Sequence, residues 1–150
     1  MSYNTSSPST AYGVLLLRVS LGVMFIAHSL VLKYMTFTLA GTAQYFESLG
    51  LPAFLAYATF FAELIGGVLL VLGVQSRWVA LGLLPILAGA VWVHSGNGWV
   101  FSASGGGWEY PLYLIVLSVA QALLGDGVYA LSPSARLPLV STPASLKAAA

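Results

Sequence analysis

The sequence predicts an all-α integral membrane protein, a bundle of four transmembrane helices with both termini in the cytoplasm. Three observations lead there. First, 59% of the 150 residues are hydrophobic and only 6% are charged, with a mean hydropathy of +0.91. Five basic and four acidic side chains cannot cover a water-facing surface, whereas a lipid-facing one needs none. Second, four apolar runs approach the roughly 20 residues that cross a hydrocarbon core of about 30 Å at about 1.5 Å per residue. Third, none of these runs shows the period-2 alternation of a membrane strand.

Residues 1–10 form a short polar segment without the basic region and small-residue cleavage site of a signal peptide, so the first apolar run is expected to stay in the mature protein. That run, 11–34, is the first span. Within the loop 35–52, TAQYFESLG predicts a short interfacial helix, stopped by Gly50 and Pro52. The second span covers 53–74 and the third 78–95, joined by the tight turn Gln75-Ser76-Arg77. The loop 96–108, SGNGWVFSASGGGW, matches no phosphate-binding fingerprint because no strand precedes it; its Trp99 and Trp108 read as interface anchors. The fourth span is 109–131, completing one membrane domain over 11–131. A disordered tail rich in Pro, Ser and Ala is expected over 132–150. Arg77, Arg136 and Lys147 lie on the short-turn side against Lys33 alone on the other, which places the termini in the cytoplasm and the long loops outside.

Composition also excludes functions. A net charge of +1 with scattered basic residues offers no nucleic-acid surface. The absence of cysteine removes disulfides, thiolate metal sites and a dithiol relay. Redox chemistry would need a bound cofactor or a partner.

The ionisable residues descend through the membrane. Counted from the long-loop side at about 1.5 Å per residue, His94 and Glu109 lie near the interface, His28 about 9 Å down, Glu63 about 15 Å and Arg18 about 24 Å. A lone carboxylate near the midplane costs on the order of a few kcal/mol, so Glu63, in FFAELIGGVLLVLG, is expected to be paired. It shares a helical stripe with Ala56, Thr59, Gly66 and Gly67, small residues that admit a neighbouring helix. Arg18 is its expected partner, on a face with Gly22, Phe25 and Ser29, with His28 about 80° around. Each residue also has a purely structural reading. An Arg–Glu pair can serve only to set helix register. His94 and Glu109 sit at helix ends, where polar groups cost little, and a first-turn carboxylate suits the helix dipole. Lys33 is expected to snorkel to the interface. Asp126 and Gln121 read as packing or interface groups, and Tyr110 and Tyr113 as interface or pocket-lining tyrosines.

The blocks LLLRVSLGVMFIAHSLVLK, GTAQYFESLGLP, AELIGGVLLVLGVQSRWVAL and GGGWEYPLYLIVL, in that order, resemble the DoxX family of small bacterial membrane proteins over residues 15–131. The resemblance implies a four-span protein of the bacterial cytoplasmic membrane, often associated with oxidoreductase complexes or quinone-linked electron transfer; the related DoxD branch is associated with thiosulfate to quinone oxidoreduction. The family's Arg, His, Lys and Glu fall on Arg18, His28, Lys33 and Glu63, and the acid of its glycine–aromatic block on Glu109. Two positions depart from the pattern. Ser29 replaces the usual Gly, and Lys33 follows His28 by five residues instead of four, which turns it to another face of an α-helix.

The functional expectation is therefore a small oxidoreductase subunit in which His28 and Glu63 handle the protons of a quinone or quinol held between helices, with Arg18, His94 and Glu109 completing the site. No haem is expected, since His28 and His94 lie at different depths. Partners would be the lipid bilayer and an oxidoreductase subunit or further copies of the chain. Two alternatives remain at this level: a non-catalytic scaffold or small-molecule carrier, and a metal site built from His28, Glu63, His94 and Glu109.

Overall fold

The computed structural model describes residues 7–135 and 137. Among the described residues five α-helices follow in order: α1 (Pro8–Ile26), α2 (Leu39–Ser48), α3 (Phe54–Leu72), α4 (Ser76–His94) and α5 (Glu109–Leu124). No strand occurs among the described residues. α1 starts where Ser7 caps it, the Ser7 hydroxyl accepting from the Thr10 amide at 3.3 Å with Pro8 in the first turn. This is the ordinary chemistry of a helix start. At its other end α1 does not stop but continues without a break as a π-helix over Ala27–Thr36.

The predicted loop helix is present as α2, capped by Thr38, whose hydroxyl accepts from the Gly41 amide at 3.1 Å. α3 ends at Gly73 in the left-handed conformation, with the Val74 amide bonded back to the Leu69 carbonyl at 2.9 Å. Gln75 also has positive φ, so two left-handed residues reverse the chain into α4 within three positions.

Among the described residues three helical stretches, Pro8–Thr36, Phe54–Leu72 and Ser76–Asn97, are long and apolar enough to cross a bilayer. The fourth predicted span is shorter than expected, because α5 has 16 residues and ends at Leu124 instead of reaching 131. Its length is about 24 Å at about 1.5 Å per residue. The physical cause is the Gly125-Asp126-Gly127 sequence, in which both glycines take positive φ and an arginine from α4 occupies the helix end, as described below.

α1 packs on α3, α3 on α4, α4 on α5, and α5 back on α1. The core lies between them, formed by Leu21, Phe25, Leu70, Ala80, Leu83, Leu87 and Leu114. Two adjacent glycines of α3 set its distance from both neighbours. A Cβ on Gly67 would lie 2.8 Å from the Gly22 carbonyl oxygen, and one on Gly22 would lie 2.7 Å from that of Gly67, so α1 and α3 touch backbone to backbone; Gly66 leaves room for the side chain of Leu83 from α4. The stripe of small residues predicted beside Glu63 thus faces other helices, where close van der Waals contact replaces the hydrophobic drive that lipid cannot supply.

The start of the expected tail is tied to this domain. The amide and carbonyl of Ser132 bond to Gly73 and Gln75 at 3.1 and 2.8 Å. The remainder of 132–150, like residues 1–6, lies outside the described residues apart from 133–135 and 137.

Candidate functional site

Glu63 sits mid-way along α3, and its carboxylate is bonded by the ammonium of Lys33 from the π-helix. The two side chains are 7% and 18% exposed, so the charges are removed from solvent together. No other Lys or Arg to Asp or Glu pair forms among the described residues. Two expectations are corrected here: Arg18 is not the partner of Glu63, and Lys33 does not snorkel away from the site. The π-helix is the reason. Its hydrogen bonds run from residue i+5 to residue i, as from the Phe37 amide to the Leu32 carbonyl at 2.9 Å, so five residues close about one turn. In an α-helix, residues five apart would diverge by about 140°. The five-residue spacing from His28 that weakened Lys33 as a site residue is thus compensated by a wider helix.

The junction between α1 and the π-helix is secured by side chains. His28 shares a hydrogen bond through Nδ1 with the Met24 carbonyl at 2.9 Å. A carbonyl can only accept, so Nδ1 is the donor in this bond. Ser29, fully buried, donates to the Ile26 carbonyl at 2.9 Å; the serine that departs from the usual Gly thus has a role of its own. The imidazole stacks on Tyr110 of α5, ring centroids 5.6 Å apart and planes 19° off parallel. No hydrogen bond joins His28 to Glu63 among the described residues: Glu63 pairs with Lys33, and His28 stacks on Tyr110.

Tyr110 belongs in turn to a cleft of about 390 Å³ at the long-loop end, lined by Trp99, Phe101, Glu109, Tyr110, Leu112, Tyr113 and Val116. The loop wall of this cleft is built. Trp99 and Trp108 meet edge to face with centroids 4.5 Å apart, the Glu109 amide donates to the Trp99 carbonyl at 3.0 Å, and the Glu109 carboxylate accepts from the Phe101 amide at 2.8 Å. His94 Nδ1 contacts the carbonyls of Gly105 and Gly106 at 3.0 and 3.1 Å, and Asn97 donates to the same two oxygens at 3.0 Å. His94 and Glu109 therefore organise the loop from its two ends. Among the described residues no three His, Asp or Glu side chains converge, so the ligand set of His28, Glu63, His94 and Glu109 considered for a metal is not assembled.

Arg18 lies at the opposite end. It is 1% exposed and donates to the carbonyls of Asp126, Val128 and Tyr129 at 2.9, 3.3 and 3.4 Å. Arg77 donates to the Ala122 and Leu123 carbonyls, which are among the acceptors that a helix leaves open at its C-terminus. Asp126 accepts from the Ser76 amide at 2.9 Å, the Ser134 amide at 2.9 Å and the Ser134 hydroxyl at 3.0 Å. Burial alone would push the Asp126 carboxyl up, but the bonds from Ser134 and Ser76 outweigh it and hold the group below its ordinary range. This knot of Arg18, Arg77 and Asp126 fastens α1, the start of α4, the end of α5 and the segment after it. Asp126, set aside in the sequence as an interface group, is its centre.

Helices of this length and apolarity, closing on a buried ion pair, define a small helical membrane protein. The chain belongs to the DoxX family, whose model matches residues 13–96. That region contains Arg18, His28, Lys33, Glu63 and His94 and stops short of Glu109. The chain is also 37% identical over 121 residues, 81% of its own length and 85% of the relative's, to a Bacillus subtilis (strain 168) protein named "Putative oxidoreductase CatD". No solved structure matches the chain.

Proposed function

We propose that the chain is the membrane subunit of an oxidoreductase system and that it takes the head of a quinone or quinol into the outer cleft. The observation that carries this reading is the cleft itself, an apolar slot of the size that suits a small organic ligand. Aromatic walls and a single carboxylate suit a flat amphipathic ring better than an ion. Tyr110 forms part of that wall, and His28 backs it from inside. Family membership and the relative's name support an oxidoreductase setting. In this reading α5 completes a four-helix bundle in the bacterial cytoplasmic membrane, the cleft opens on the outer side, and the electrons pass to or from a partner subunit. A bound quinone would supply the two-electron, two-proton couple; the chain's residues bind and orient it.

A specific observation favours a second reading. Lys33, Glu63, Arg18, Arg77 and Asp126 all have partners within the protein, as expected of a scaffold whose polar groups set helix packing.

The test is a lipid extract of the purified protein together with titration of decylubiquinone against tryptophan emission. Quinone is expected in the extract, with saturable quenching that weakens several-fold in His28→Ala as Tyr110 loses its support. An extract without quinone, and equal responses from both proteins, would place the scaffold reading first.

A further inference from the structure

We infer that the outer cleft selects the reduced form of its ligand, a quinol over the corresponding quinone, and that Glu109 makes the selection. The inference rests on the quinone reading of the cleft and deepens it.

The polar groups that line the cleft differ in what they can recognise. The hydroxyls of Tyr110 and Tyr113 both donate and accept, and the indole N–H of Trp99 donates to a carbonyl oxygen or to a hydroxyl oxygen alike. None of these tells a quinone from a quinol. Glu109 is the one acidic or basic side chain in the lining, and as a carboxylate it can only accept. One of its oxygens is committed to the Phe101 amide at 2.8 Å, which fixes the group in place; its other oxygen has no hydrogen-bond partner among the described residues. A quinol hydroxyl satisfies that oxygen with a charge-assisted bond. A quinone offers only carbonyl oxygens, so the same carboxylate faces an acceptor and gains no bond from it.

The rest of the lining fits a tailed ligand entering sideways. Glu109, Leu112, Tyr113 and Val116 follow one another at i, i+3, i+4 and i+7 on α5, the spacing of a single helical stripe. Tyr113 and Val116 are exposed, as are Val119 and Leu123 further along the helix. A polar head at Glu109 thus continues into an apolar track on the helix surface, where an alkyl or isoprenoid chain stays in contact with lipid.

The experiment compares decylubiquinol and decylubiquinone, under anaerobic conditions, for quenching of tryptophan emission by the purified full chain and by Glu109→Gln. Wild type is expected to bind the quinol at least about tenfold tighter, the effect of one additional hydrogen bond to a charged group. In Glu109→Gln the side-chain oxygen still accepts from Phe101 while an NH₂ donor replaces the free oxygen, so the ratio should fall below about twofold or reverse toward the quinone. Glu47→Gln, at an exposed position of α2, should keep the wild-type ratio. Equal binding of both forms by wild type overturns the selectivity and leaves the quinone site standing. An unchanged ratio in Glu109→Gln removes Glu109 from it. Binding of neither form overturns both. The wild-type ratio decides the selectivity even if the variant fails to fold.

Discussion

Glu63 and Lys33 face a simple accounting at the level of single residues. Two charges out of water are tolerable as a pair and costly alone. Removing one partner by Glu63→Ala should therefore destabilise the protein by about 3–5 kcal/mol, whereas replacing both, Lys33→Met with Glu63→Leu, should recover most of that loss. Thermal unfolding of the three proteins in one detergent checks this. A double variant as unstable as the single one would show that the pair is more than a matched burial of charge. Glu47→Ala, at an exposed position of α2, should melt with wild type. The need for a partner was legible in the sequence, because a carboxylate in an apolar run stands out. Its identity was not. Arg18 was the nearest cation by α-helical counting, yet its own partners are backbone carbonyls, which carry no letter in a sequence.

Among the elements, the π-helix of Ala27–Thr36 explains most of what sequence reasoning misplaced. Hydropathy and turn residues act locally, so α2, the Gln75 to Arg77 reversal and the starts of α3, α4 and α5 fall close to where they were expected. A change of helical pitch has no local signature in composition. It surfaces only as the five-residue gap between His28 and Lys33. Deleting exposed Val31 should let the segment relax to an α-helix with a four-residue gap, keeping Lys33 on the face of His28. Such a variant is expected to melt within about 4 °C of wild type, roughly 1 kcal/mol for a chain of this size. Deleting Val23, in the α-helical part of α1, instead rotates everything beyond it by about 100° and should abolish a monodisperse protein. Size-exclusion profiles and melting curves of the two deletions give the answer. Comparable behaviour of both would contradict the compensating role of the wide helix.

For the whole molecule, the Arg18–Arg77–Asp126 knot makes stability depend on acid. A carboxyl held below its ordinary range in the folded state contributes stability that is complete above the unfolded value, about pH 3.9, and is lost as pH falls through the lower folded one. Wild type should thus lose melting temperature below about pH 4, and Asp126→Asn, less stable at neutral pH, should show a flatter decline. Parallel curves would remove Asp126 as the titrating element. Orientation is testable at the same scale, because the chain has no cysteine. With Ser104→Cys in the long loop, an impermeant thiol reagent added to intact cells should label the protein. Labelling from the cytoplasmic side alone would reverse the proposed topology. The fourth helix ends earlier than the sequence reading placed it: apolar letters resume at Val128, but Arg77 takes the final carbonyls of α5 and the glycines turn the chain away.

The two ends of the molecule are held by different means. One is fastened by two guanidinium groups and a carboxylate that join four stretches of chain; the other is closed by a glycine-rich loop pinned through His94, Asn97 and Glu109. A body clamped at one end behaves like a pair of tweezers, with its freedom at the tips. Amide hydrogen exchange should accordingly form a gradient, slowest around Ser76 and Ser134 and fastest over residues 98–107. Any traffic between the helix interior and the bilayer would then pass through the loop end, where the glycine-rich loop is held by fewer and more scattered hydrogen bonds than the knot.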